Sequence, residues 1–317
     1  MKTKLTVGIP TYNRKKALKK QVEWFISQGI LEYDNVEFII SDNASTDGTS
    51  EYLETLCKLY PKIHVNINKQ NIGACLNIGK ITELANGEYI WFVGDDDDIH
   101  NGIIDNILSI LNSNLDLAWL FIKFNFMTND GLVEYELEYK KKYTNGIDLF
   151  KKIAYSNYKF GGGMFITASV HRRENVIKVM DWFKNSDESL KYDNRAIPLG
   201  LSFYSSLSGS AMTTDFIGIT DNIVDVAWRD KIVKIFCRDQ IAILDNIAKM
   251  KKCRLLNVLS LKNGLDNKYP EWTYIRGGYK ENNYAFWFYL KNKPTQIVYD
   301  LFELIINKIK RKLRRTK

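Results

Sequence analysis

The chain has 317 residues, 45% hydrophobic and 26% charged, an ordinary balance for a globular protein that buries a core as one domain or one domain with an accessory segment. Its net charge of +8 is concentrated at one end: residues 308–317 carry seven Lys or Arg and no acid, leaving the body close to neutral. That distribution argues against nucleic acid as a partner, because a basic binding face would be spread over the folded body.

In chain order, residues 5–9 read as a short buried strand and residues 17–25 as a helix with apolar side chains at helical spacing. Residues 36–41 are a second strand, 49–60 a helix, 63–67 a third strand, 72–84 a helix, 89–93 a fourth strand and 102–111 a helix. Strands alternating with helices of this length predict an α/β fold with a mostly parallel sheet flanked by helices on both faces. Beyond residue 115 the pattern changes. Residues 117–126 and 132–138 predict a hairpin or sheet edge turning at 129–131, and Gly161, Gly162 and Gly163 predict a turn or part of an acceptor pocket. Residues 164–168 read as a strand, and 174–183 and 196–207 as helices. From about 230 the chain reads as mainly helical. The expected organisation is therefore an α/β domain over 1–225 and a helical extension over 226–317, with a soft boundary.

Four cysteines (Cys57, Cys75, Cys237, Cys253) form no C-x-x-C pair, so neither a zinc motif nor a disulfide framework is indicated. No stretch of about 18 uninterrupted apolar residues suggests a membrane span. A cytoplasmic location in a reducing compartment is expected. Residues 295–317 read as a basic amphipathic helix, either packed on the body or lying on an anionic membrane surface, which would make the protein peripheral at the inner face of the plasma membrane.

Ligands of parallel sheets bind beyond the carboxyl ends of the strands. Four polar clusters fall there: Pro10 to Arg14 (PTYNR), Asp42 to Thr49 (DNASTDGT), Lys69 to Ala74 (KQNIGA) and Gly94 to Asp98 (GDDDD). Four adjacent aspartates repel one another and raise one another's pKa unless a cation sits among them. After an intensely apolar strand, a hard divalent ion shared with a phosphate is the economical partner, with Asp95 and Asp97 as ligands and Asp96 as the alternative. Asp98, nearest the following helix, is the candidate for a helix-terminal acid. Asp42 can accept a hydrogen bond from a base N–H or a ribose hydroxyl. Tyr12 can stack on a base and Arg14 can pair with phosphate. Asn71 is either a helix cap or a donor contact. Aromatic residues, 13% of the chain, serve a large core or flat contacts with sugar faces.

Taken in order, VGIPTYNR, EFIISDNASTDGT, NIGACLNIG and GEYIWFVGDDDD resemble family 2 of the glycosyltransferases, with the fold called GT-A, over roughly residues 4–112. The resemblance implies a nucleotide-binding role for Pro10, Thr11, Tyr12, Arg14 and Asp42, with Asn71 beside them, and a metal- and diphosphate-binding role for Asp95, Asp96 and Asp97. It implies Mn2+ or Mg2+ as cofactor, a UDP-sugar donor, and a saccharide or lipid-linked saccharide acceptor in bacterial surface polysaccharide or glycolipid synthesis. Relatives commonly place a Pro several residues after the aspartates, where this chain has Asn101. The family's general base is an acid in the second half, for which Asp187, Glu188 and Asp193 are the candidates. Inverting transfer needs such a base to take the acceptor's proton. Two rival readings are a sugar nucleotidyltransferase, against which the glycine-free PTYNR loop counts, and a catalytically silent nucleotide-sugar-binding module. With three histidines and no nucleophile elbow, a Ser-His-Asp hydrolase has little support.

Overall fold

The computed structural model describes residues 2–128, 131–138, 140–154, 162–191, 194–221, 235 and 239–252. Gly161, Asp193 and the expected basic helix over 295–317 lie outside them.

The first half alternates as the pattern predicts: β1 (Leu5–Thr11), α1 (Lys15–Ser27), β2 (Val36–Asp42), α2 (Thr49–Leu59), β3 (Ile63–Ile67), α3 (Ala74–Leu84), β4 (Tyr89–Phe92), a two-residue β5 (Asp98–Ile99) and α4 (Ile103–Ser113). The second half adds β6 (Leu117–Thr128), β7 (Gly131–Glu134), β8 (Lys142–Tyr143), α5 (Gly146–Ala154), β9 (Ser169–Arg172), α6 (Arg173–Lys184), α7 (Glu188–Lys191), α8 (Ile197–Ser206), β10 (Ser210–Asp221) and α9 (Gln240–Met250). One sheet runs in the order β3-β2-β1-β4-β9-β6-β10-β5, with β7 on β6 and β8 on β10. The strands from β3 to β4 pair in parallel, as do β6 and β10, while β9 runs antiparallel between β4 and β6. The α/β sheet flanked by helices expected from the sequence is present.

Alternation along the strands sorts side chains to two faces. Phe38 and Trp91 meet Phe25 of α1, at ring-centroid distances of 5.2 and 6.0 Å. The other face receives α3: Ser41 bonds Asn77, and Gly8 lies under Ile81. A Cβ added at Gly8 would stand 2.5 Å from the Ile81 side chain, so glycine is what lets α3 settle on β1. Ile243, Leu244 and Ile247 of α9 join the hydrophobic core, and Ile243 lies over Gly200 of α8.

Two local expectations are corrected. Residues 164–168, expected as a strand, are one-turn helices, Gly162–Met164 and Ile166–Ala168, and the strand begins only at Ser169. The reason is pairing: Val170 and His171 lie between Trp91 and Ile90 of β4 and Leu120 and Trp119 of β6, so the buried slot starts four to five residues later than the apolar run. Asp98 is not a helix-terminal acid. Its backbone pairs with Thr220 of β10 and its carboxylate pairs with Lys20 at 3.1 Å, while α4 begins after Gly102 with Asp105 in its first turn.

Candidate active site: the rim of the parallel strands

Because β1 to β4 run in parallel, their carboxyl ends share one rim, and the loops that leave them are bonded to each other. Asn43 N donates to Thr11 O at 3.0 Å and Asn68 N to Asp42 O at 2.9 Å. The backbone N–H of Asn13 donates to Ser45 Oγ at 2.7 Å, and Asn13 Oδ1 accepts from Thr46 N at 2.8 Å. Asn13 has φ of 53°, a left-handed conformation that asparagine tolerates better than most residues. Asp47 accepts from Lys15 N and Thr49 N, at the first residues of α1 and α2, and these bonds hold its carboxyl below the usual range although burial opposes them.

Asp42 is wholly buried at the end of β2. Its oxygens accept from Ser45 N at 3.1 Å, from Ser45 Oγ, and from Ser50 Oγ at 2.7 Å. In this arrangement it shapes the loop from 42 to 50. Beside it lies a set of amides. Asn77 of α3, 2% exposed, donates to Ser41 O at 2.8 Å and accepts from Ser41 Oγ and Asn68 Nδ2. Asn43 Oδ1 accepts from Ile72 N, and Asn43 Nδ2 donates to Asn71 Oδ1, each at 2.9 Å. Asn71 Oδ1 also accepts from Gly73 N, the residue that stands at the N-cap of α3. Asn71 thus ties two loops together one turn before the helix. Pro10 and Thr11 are the last two residues of β1, and Tyr12 extends from the rim with 42% exposure.

The acidic loop follows β4. Asp95 and Asp97 turn inward, at 7% and 9% exposure, and the side chain of Asp96 is 53% exposed. Thr11 Oγ1 donates to Asp95 Oδ2 at 2.7 Å. The Arg14 guanidinium reaches Asp95 Oδ1 at 3.3 Å and also bonds Asp96 Oδ2. Asp97 Oδ2 accepts from the hydroxyl of Thr167, whose oxygen in turn accepts from Gly94 N at 2.8 Å. A Cβ at Gly94 would fall 2.4 Å from Asp97 Oδ2, so the absence of a side chain there is what lets Asp97 fold back.

Burial pushes the Asp95 carboxyl up to about 6, against the pull of Thr11 and Arg14, and the Asp96 charge adds to the rise. Burial also drives Asp97 well above the usual carboxylate range. The Thr167 hydroxyl opposes that rise, and the charges of Asp221, Asp96 and Asp95 add to it. Partial burial works against the Arg14 charge, but Asp95 and Asp96 outweigh it and raise the guanidinium pKa. His100, close in sequence, is turned away: its ring nitrogens meet Ile217 O and Thr220 Oγ1 at 3.0 and 2.9 Å.

Residues 6–172, just over half the chain, match the profile described as Glycosyl transferase family 2. The chain belongs to glycosyl transferase family 2. The match runs from β1 to the end of β9 and so includes the PTYNR loop, the Asp42 loop and the aspartates.

Among curated members of the family, the abequosyltransferase RfbV of Salmonella typhimurium is 37% identical over 111 residues, 34% of this chain and 33% of that protein. The GalNAc(5)-diNAcBac-PP-undecaprenol beta-1,3-glucosyltransferase of Campylobacter jejuni is 26% identical over 169 residues, 51% of this chain and 50% of its own. The chain thus spans from about a third to half the length of these relatives. The fold is shared with S. aureus TarS 1-349 in complex with UDP-GlcNAc, at TM-score 0.62 and 15% identity, over 87% of this chain and 75% of that one. It is also shared with the mannosyltransferase PcManGT from Pyrobaculum calidifontis in complex with GDP-Man and Mn2+, at TM-score 0.54 and 13% identity, over 92% and 87%.

In this family 2 glycosyltransferase the structure brings together Thr11, Arg14, Asp95 and Asp96 directly, and Asp97 through the loop. Among the described residues, no hydrogen bond or ion pair joins Asp187 or Glu188 to the acidic loop, and Asp193 lies outside the described residues. Asp187 and Glu188 are exposed, and Glu188 pairs with Lys191 at 2.7 Å. The same segment does approach the rim, since Cys75 Sγ in the first turn of α3 bonds Asn194 O at 2.9 Å. Two residues that sequence reasoning missed are Thr167 and Asp221. Thr220 pairs with Asp98, which sets the end of β10 alongside the acidic loop. A strand-like run at 210–221 was the available signal for β10; nothing local marks Thr167.

Proposed function

We propose that this chain transfers a sugar from a nucleoside diphosphate donor, a UDP-sugar, to an acceptor hydroxyl with inversion at the anomeric carbon. The observation that carries the reading is the pair of inward-turned carboxyls, Asp95 and Asp97, at the rim of four parallel strands, with Arg14 against Asp95 and Asp96. Among the described residues no group of three or more His, Cys, Asp or Glu is arranged to hold a metal ion. Two carboxyls raised by burial and by neighbouring acids fit a hard ion that would share its remaining positions with phosphate oxygens and water. Asp95 and Asp97 would hold Mn2+ or Mg2+, with Asp96 the alternative, and the ion would neutralise charge on the departing diphosphate.

The chain's own groups do the rest. Arg14 binds diphosphate oxygens, and Tyr12 lies against the base. Pro10, Thr11, Asp42 and Asn71 shape the nucleotide pocket. The acceptor oxygen attacks the anomeric carbon, the bond to the diphosphate breaks, and a carboxylate takes the acceptor's proton. Asp187, Glu188 and Asp193 are the candidates for that base. The nucleotide complex of TarS and the undecaprenol-linked name of the Campylobacter relative support a UDP-sugar donor and a saccharide or lipid-linked acceptor in bacterial surface polysaccharide or glycolipid synthesis. No described helix is long and apolar enough to cross a membrane. Contact with an anionic membrane surface through the basic residues of 308–317 is part of the proposal.

The test is a melting-temperature screen of nucleotide-sugars with and without Mn2+, followed by measurement of nucleotide release with saccharide acceptors. A UDP-sugar is expected to raise the melting temperature in a metal-dependent way, and Asp97→Ala to remove the metal-dependent part. Pyrophosphate formed from a nucleoside triphosphate would show a nucleotidyltransferase instead, and binding without turnover a silent module.

A further inference from the structure

Arg14 is placed where it competes with any cation for the acidic loop. Its guanidinium touches Asp95 Oδ1 at 3.3 Å and bonds Asp96 Oδ2, while Asp95 Oδ2 is taken by Thr11. Both oxygens of Asp95 are therefore engaged. The group is not sealed in: the Arg14 side chain is 36% exposed and that of Asp96 53%. Arg14 also stands at the N-cap of α1, where the helix dipole disfavours a positive charge and no side-chain capping bond holds it. Its present position is thus maintained by the two acids. A diphosphate offers the guanidinium more negative charge and a bidentate geometry, next to a helix end that favours anions.

We infer that Arg14 is a resident counter-ion of the acidic loop, which it yields to a divalent cation only when a nucleoside diphosphate draws the guanidinium onto its phosphates. The inference rests on the donor-site reading above. Its consequence is coupling: diphosphate frees the carboxylate oxygens that the metal needs, so each ligand tightens the other by the same factor.

The experiment measures free Mn2+ by electron paramagnetic resonance during titration of the full chain, with and without UDP, for the unaltered protein, Arg14→Gln and Arg14→Lys. Without UDP, Arg14→Gln is expected to bind Mn2+ about tenfold more tightly than the unaltered chain, a coupling of ordinary size. Saturating UDP is expected to tighten Mn2+ binding about tenfold in the unaltered chain and by much less in Arg14→Gln. Arg14→Lys, which keeps the charge, should remain close to the unaltered chain. If Arg14→Gln binds Mn2+ alone no more tightly than the unaltered chain while both still bind it with UDP, the counter-ion role is overturned and the donor site stands. If neither chain binds Mn2+ even with UDP present, the donor-site reading fails and the inference with it.

Discussion

Thr167 shows how one hydroxyl can set the position of a distant carboxylate. It is fully buried, accepts from Gly94 N and donates to Asp97 Oδ2. Replacing it with valine keeps the shape and leaves the half-buried Gly94 N–H without its acceptor, at a cost toward the low end of about 1–3 kcal/mol. Asp97 would also lose the donor that steadies its charge. Thr167→Val is therefore expected to fold with a lowered melting temperature and to bind UDP with Mn2+ about tenfold more weakly by titration calorimetry. Unchanged affinity would reduce Thr167 to a purely structural group. The four aspartates were legible from charge alone, because like charges after an apolar strand need a partner. The same pair that the sequence suggests, Asp95 and Asp97, turns inward; what the sequence did not show is what holds Asp97 there, the space left by Gly94 and a threonine 70 residues away.

Among the elements, β9 carries the most unusual burial. His171 is 1% exposed, stacked on Trp119 with ring centroids 6.3 Å apart and planes 10° apart, and its Nδ1 lies 3.1 Å from Ser205 Oγ. Burial lowers its pKa from 6.5 to about 3. Below pH 6.5 the unfolded chain therefore takes up a proton that the folded chain refuses, and stability falls as the pH drops toward the folded value. The slope from this one group is at most about 1.4 kcal/mol per pH unit. His171→Phe keeps a flat ring against Trp119, so its melting temperature should fall less steeply than that of the unaltered chain between pH 6.5 and 4. Parallel curves would contradict the assignment. The polar letters of Ser169 to Arg172 hid this strand from pattern reading. They are accommodated because Trp119 Nε1 and Ser205 supply partners inside the core and Arg172 reaches Glu88 and Tyr89 at its edge. The first four strands were legible because β1, β2 and β4 carry apolar runs that are mostly buried, while β3 alternates Ile63, Val65 and Ile67 with His64 and Asn66. The twelve-residue β10 offered a strand-like run, but its place beside β6 was not legible, since that pairing spans nearly a hundred residues and carries register shifts.

At the scale of the whole molecule, the carboxyl ends of β1, β2, β3 and β4 gather every motif that sequence reading had singled out in the first half, and β10 brings Asp221 to the same rim. The fold supplies the site by topology: parallel strands place PTYNR, the Asp42 loop and the aspartates side by side although up to 88 residues separate Pro10 from Asp98. α9 packs its Ile243, Leu244 and Ile247 into the same core, so residues beyond the expected boundary at 225 contribute to the scaffold that carries the rim. The account depends on that rim binding a diphosphate through a cation. A crystal grown with UDP and Mn2+, with data collected at the manganese absorption edge, tests it most directly. The account predicts an anomalous peak coordinated by Asp95 and Asp97 and bridged to the diphosphate, with Arg14 turned onto the phosphates. Ordered UDP bound elsewhere, with no manganese between those carboxylates, would contradict it.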